Sequence, residues 1–219
     1  MVQSAATQQG KSEIARLRAE QKARDTRRRV ILIAVAAIAA LGLIAVVWVV
    51  LAGEGKRVTA IEQAASQPIE GVKETPGLSA EHVEFLPEPT PTEPGGTVLP
   101  PVGGPHDPAV QNCGVYTEPV ATAKAVHSLE HGAVWITYRS GLDQGQVDVL
   151  TKLANSRDYT LLSPIEALGA PVVLTAWGLE LELDNASDPR IEPFLAKYIQ
   201  GEQTPEPGAP CTGGVGDPA

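Results

Sequence analysis

Residues 133–177, AVWITYRSGLDQGQVDVLTKLANSRDYTLLSPIEALGAPVVLTAW, switch between two periodicities, and the order of the switches decides the fold. Residues 133–138 (AVWITY) form a short apolar run rich in β-branched and aromatic side chains, as in a buried strand. Residues 143–156 (DQGQVDVLTKLANS) instead place Val147, Leu150, Leu153 and Ala154 on one face at helical spacing, as in a helix. Residues 159–162 and 171–177 (PVVLTAW) return to strand character, and 180–183 add a further short strand. Beyond them Asp188-Pro189 reads as an N-cap with a first-turn proline, followed by an apolar face of Ile191, Phe194, Leu195, Tyr198 and Ile199 and a stop at Gly201. Pro193 moves the expected start of this helix toward Glu192, because an interior proline costs a backbone hydrogen bond. Short mixed strands with two helices predict an α+β domain over residues 99–200, a small mixed sheet with two packed helices.

Working outward, residues 30–52 (VILIAVAAIAALGLIAVVWVVLA) carry no charge. As a helix they would extend roughly 35 Å, enough for a bilayer core. Residues 1–29 before them hold eight Lys and Arg against three Asp and Glu, with Arg27, Arg28 and Arg29 at the edge of the apolar run. The polar leader is too long for a signal peptide. The segment is therefore read as an uncleaved signal anchor: 1–29 cytoplasmic, 30–52 transmembrane, everything after it extracytoplasmic. Residues 53–98 are expected to be a stalk, since eight prolines fall between Pro68 and Pro101 and favour extended chain. His82-Val83-Glu84-Phe85 within it alternates and would add an edge strand to the domain.

The chain has 219 residues and a formal net charge of −9, which excludes nucleic acid as a natural partner; the expected partner is the bilayer, with a membrane complex as a further one. Both cysteines, Cys113 and Cys211, fall on the expected outer side, where disulfides persist. An even pair there predicts a bridge that pins residues 201–219, a tail without an apolar pattern that is otherwise flexible. A role for Cys113 as a metal ligand would leave Cys211 unpaired.

All four histidines also lie on that side: His82, His106, His127 and His131. Residues 127–131 read His-Ser-Leu-Glu-His, formally the inverted zincin pattern, in which two histidines one helical turn apart face a zinc ion. Residues 120–130 would supply the helix, but Gly132 ends it at once, whereas a zincin helix continues. Catalytic zinc also needs a third ligand and an open position. Glu202 and Glu206, in the tail, are poorly placed to hold a ligand, so a zinc-dependent hydrolase is the least favoured reading. The broader metal reading takes His106, His127 and His131 as ligands, Glu130 as fourth ligand or orienter, and His82 as an additional one. Such a nitrogen-rich set suits zinc or copper(II). With Met1 the sole methionine, a thioether copper(I) carrier is disfavoured. The alternative is that the histidines only orient a turn. Ser128 lacks a nucleophile elbow, and Glu180 and Glu182, alternating with leucines, read as the solvated face of a strand.

Four stretches in order carry a resemblance. Pro100-Pro101-Val102-Gly103-Gly104-Pro105-His106, Gly114-Val115-Tyr116, His127-Ser128-Leu129-Glu130-His131-Gly132 and Leu174-Thr175-Ala176-Trp177-Gly178 resemble the signature motifs of the bacterial domain of unknown function 3105. The resemblance covers about residues 80–200 and brings no established activity. It implies a single-span protein with an outer domain, and one constellation made of His106, Tyr116, His127, Glu130, His131 and Trp177, with His82 matching a weaker His-Val element. Gly103 stands where members often have Ser or Thr. Two functions follow as expectations: an anchored metal-binding domain, which requires the imidazoles to converge, or a non-catalytic envelope scaffold with structural, divergent histidines.

Overall fold

The computed structural model describes residues 2–86, 100–166 and 168–219. The chain divides into two units at Val58. The first is the greater part of helix α1, Val2–Ala65, whose leader is built of good helix formers and whose apolar run has no breaker. The mean hydropathy of its most apolar stretch is 3.1, and the helix is long and apolar enough to cross a membrane.

The second unit is a mixed α+β domain around one six-stranded sheet. Its strands are β1 Lys73–Glu74, β2 Gly114–Val115, β3 Val134–Arg139, β4 Thr160–Ile165, β5 Val172–Ala176 and β6 Leu179–Leu183, in the order β1-β6-β5-β3-β4-β2. β3 runs parallel to β4, and β4 to β2, while β3-β5, β5-β6 and β6-β1 are antiparallel. The parallel pair β3-β4 is joined through helix α3, Gln144–Asn155, as parallel pairing demands. Asp143 caps α3 by accepting a hydrogen bond from the Gly145 amide.

Two helices, α3 and α4 (Ile191–Tyr198), belong to one core with Val134, Ile136, Leu162, Leu174 and Leu181; Leu150, Phe194 and Leu195 are buried in it. A third, α2 (Thr122–Glu130), belongs to the other core, with Ala125, Val126 and Leu129 packed among Trp135, Leu161 and Trp177. α4 starts at Ile191 with Arg190 as its N-cap, two residues later than an Asp188 cap implies. Asp188 instead accepts from the Arg190 amide and guanidinium, and Pro193, third in the helix, replaces an amide that has no intrahelical partner there.

Residues 53–65 are helical, continuing α1 over the start of the expected stalk. Farther on, Lys73 pairs with Glu180 in the sheet, and its ammonium bonds both Glu180 and Glu182. Glu180 is thereby buried, not a solvated strand residue. His82 forms an isolated parallel bridge with His106, and Glu84 and Phe85 turn away at once, so residues 82–85 do not make the expected edge strand. Prolines 87, 89, 91 and 94 lie outside the described residues.

Candidate metal centre

The buried face of α2 uses Ala125, Val126 and Leu129 for the core, which leaves His127, Glu130 and His131 for what covers the helix on its other side. At i, i+3 and i+4 these three share a face. α2 ends at His131 because Gly132 adopts φ +91°, and strand β3 departs from there. A side chain at Gly132 would collide with Gln200, whose amide bonds the His131 carbonyl.

His106 arrives from the bend at residues 103–105. Gly103 in that bend has φ +144°, and a Cβ there would lie 2.9 Å from Leu78 and 3.2 Å from the Trp177 ring. Glycine at this position lets the chain pass beneath Trp177, whose ring stands edge-on to His106 with centroids 5.8 Å apart. His82 is held by backbone bonds on both sides: the Val83 amide to the His106 carbonyl, and the His106 amide to the Glu81 carbonyl. Its ring stacks on His127 at 4.7 Å.

The imidazoles converge. His106 Nε2 is 2.9 Å, His82 Nε2 3.2 Å and His127 Nε2 3.8 Å from the same Glu130 oxygen, Oε2. His127 Nε2 lies 3.0 Å from His131 Nε2. His106, His127, Glu130 and His131 are buried, whereas the His82 side chain is 42% exposed. One atom from each of His82, His106, His127 and Glu130 lies within 4.8 Å of the others, close enough to hold one ion, and Glu130, His131 and Glu206 make a second, overlapping group.

Protons decide what this cluster can do. The Nδ1 atoms of His106, His127 and His131 each lie 2.8 Å from a backbone carbonyl, those of Gly104, Asp107 and Pro210. A carbonyl only accepts, so each Nδ1 carries the hydrogen, and in a neutral imidazole Nε2 is then a bare lone pair. The contacts His106–Glu130 and His127–His131 therefore set acceptor against acceptor unless an extra proton or a cation lies between them. Burial, reinforced by the neighbouring His131, His106 and His82, pulls His127 below the ordinary imidazole range despite its bond to Asp107, which opposes an extra proton there. With zinc–nitrogen bonds of about 2.0–2.1 Å, two ligands of a tetrahedral ion stand roughly 3.3 Å apart, close to the separations seen. A neutral imidazole held by Nδ1–H to a carbonyl, with Nε2 inward, is also the usual bearing of a metal-ligating histidine.

The other sequence candidates are placed around this cluster. The Tyr116 hydroxyl donates to the Asn112 carbonyl, 2.8 Å away, and steadies the turn before Cys113. Burial raises the Tyr116 pKa, so it stays a hydroxyl. Cys113 and Cys211 are joined as a disulfide, with Cα atoms 5.4 Å apart. Ser128 is buried and donates to the Gln111 carbonyl. The residue that sequence reasoning set aside is Glu206: its carboxylate is 3.6 Å from His131 Nε2 and its amide bonds the Glu130 carbonyl. The tail is fastened by backbone bonds, which have no apolar signature.

The chain belongs to the family described as protein of unknown function (DUF3105), whose model matches residues 97–213 and so contains His106, His127, Glu130 and His131. No curated protein and no solved structure matches it.

Proposed function

We propose that this is a single-pass membrane protein whose extracytoplasmic domain binds a transition-metal ion, zinc or copper(II), through His106, His127 and His131, with Glu130 and His82 completing the set. One observation carries the reading: three buried histidines spend their only N–H on backbone carbonyls and turn bare Nε2 atoms toward one another and toward a buried carboxylate. A cation relieves that arrangement without two extra buried protons. A scaffold with merely structural histidines gives no reason for them to converge. Glu130 is buried with its Oε2 already facing three imidazoles, as a ligand or orienter would be, which argues against the zincin role.

The orientation rests on Arg27, Arg28 and Arg29 at the head of the apolar run, and on the disulfide, which calls for an oxidising compartment. The test of the metal reading is metal content by mass spectrometry on the full chain in detergent, after exposure to zinc and to copper. Near one ion per chain is expected in the wild type, and none in a folded His127→Ala/His131→Ala variant. No metal in the wild type refutes the reading.

A further inference from the structure

Resting on that metal reading, we propose that Glu206 is a further ligand of the ion beside His131, and that the Cys113–Cys211 disulfide holds it there, so that metal affinity depends on the redox state of the disulfide. His131 touches the tail at two points and Gln200, the residue just before it, at a third. Its Nδ1 donates to the Pro210 carbonyl at 2.8 Å, its Nε2 lies 3.6 Å from Glu206 Oε2, and its own carbonyl accepts from the Gln200 amide. The Glu206 amide donates to the Glu130 carbonyl at 3.1 Å, which sets the carboxylate over the end of α2. Between these points the Gly208 amide bonds Gln200 Oε1 and the Tyr159 hydroxyl bonds the Ala209 carbonyl. Every one of these partners is polar, so little apolar packing retains the segment once it is released.

Beyond it, Val215 and Ala219 bond back to Val110, Asn112 and Val115, and the one covalent link is the disulfide. Pro210, which orients His131, directly precedes Cys211, and the Cys113 amide bonds the Cys211 carbonyl at 2.8 Å. The Glu206 side chain is 53% exposed, so it closes the site from the solvent side, where an ion would enter and leave. A cleft of about 340 Å³ lined by Cys113, Asp158, Tyr159, Pro210 and Cys211 gives a small dithiol access to the bridge. Reduction transfers two electrons and two protons from that dithiol to the two sulfurs and leaves the dithiol as its own disulfide. The segment from Glu206 to Pro210 then keeps hydrogen bonds alone, which loosens the Glu206 ligand and the carbonyl that fixes the His131 tautomer.

The experiment is zinc competition against a fluorescent chelator on the full chain in detergent. Glu206→Gln and Cys113→Ser/Cys211→Ser are each expected to weaken zinc binding about tenfold or more, the range for lost supporting groups. The triple variant is expected to be no weaker than the cysteine pair, because loosening of the segment already withdraws Glu206. Zinc affinity within twofold of wild type in Glu206→Gln overturns the ligand, and in the cysteine pair it overturns the latch.

If the cysteine variant does not fold, the wild-type disulfide is measured instead. By linkage, a tenfold tighter oxidised state makes its reduction potential about 30 mV more negative when zinc is present. The shift is taken relative to the same titration in His127→Ala/His131→Ala, which keeps both cysteines and cancels zinc held by freed thiols. No difference between the two overturns the latch. A wild type that binds no zinc refutes the metal site itself, whereas a wild type that binds zinc with indifferent variants refutes only the role of the tail.

Discussion

Replacing Glu130 by Gln separates a metal site from a buried ion pair, because the two readings predict opposite signs for the metal-free protein. The carboxylate is buried and lies 2.9, 3.2 and 3.8 Å from three Nε2 atoms. If those atoms are bare lone pairs awaiting a cation, the metal-free wild type holds a negative oxygen against them, and Gln supplies an N–H that one of them accepts. One such hydrogen bond contributes about 1 kcal/mol, so the metal-free variant melts level with the wild type or roughly 2–4 °C higher. Zinc at a hundred times its dissociation constant stabilises the wild type by about 2.7 kcal/mol, or roughly 5–11 °C, and that gain shrinks or vanishes in Glu130→Gln. If instead His106 is a permanent imidazolium paired with Glu130, breaking the pair costs about 3–5 kcal/mol, and the metal-free variant melts roughly 6–20 °C lower. The assay is thermal unfolding of the chelator-treated full chain followed by near-ultraviolet circular dichroism, which reports the buried Trp135 and Trp177. A metal-free Glu130→Gln that loses more than about 3 kcal/mol, beside a wild type indifferent to zinc and copper, refutes the reasoning.

Stability of the metal-free chain follows the lowered pKa of His127, whose first cause is burial. The unfolded chain then binds more protons than the folded one, so this contribution is fully present above about pH 6.5 and is lost as the pH falls below it. Denaturant midpoints from pH 8 to pH 5 are expected to fall less steeply in His127→Gln. Gly132→Ala, at φ +91° and against Gln200, is expected to cost of order 1–3 kcal/mol in urea unfolding and to weaken metal binding by displacing the clamp on His131. For topology, a reporter active only outside the cytoplasm, fused after Ala219, is expected to be active; a silent fusion that is active when moved before Val2 reverses the orientation.

The sheet was legible where a strand was long enough to show a period. β3 and β5 carry five or six residues of dense apolar character, β6 alternates leucine with glutamate, and α3 has four apolar residues at helical spacing. β1 and β2 have two residues each and no period to read; their pairing depends on β6 and β4, which are distant in sequence. The histidines of the site were found through residue type and spacing, since His127, Glu130 and His131 lie one turn apart on any helix. His82 was ranked below them, yet it touches Glu130 and His131 does not join that four-membered group, because a backbone bridge to His106 fixes it. Glu206 was set aside for the same reason that the tail looked mobile: amide-to-carbonyl bonds order it, and any sequence can make those.

The distribution of apolar contacts explains why a metal would sit here. α2 is anchored on its sheet side by Ala125, Val126 and Leu129. On its other side the segments at 81–83, 104–107 and 206–211 meet it through histidines, carboxylates and carbonyls, with little apolar area to hold them together. Ordering backbone costs about 1–2 kcal/mol per residue, which such contacts offset poorly. A disulfide closing a loop of 98 residues contributes about 4–5 kcal/mol in the chain-entropy model, and it acts on the tail alone. Neither His82 nor His106 lies in the loop that the bridge closes. An ion bound by the His82 and His106 Nε2 atoms and the Glu206 carboxylate would tie these segments to one point, and its binding energy becomes folding energy for a layer the hydrophobic core does not reach. The disulfide and the ion therefore stabilise complementary parts of the same layer, and His131, fixed by Pro210 on one ring nitrogen and facing His127 with the other, is where the two meet.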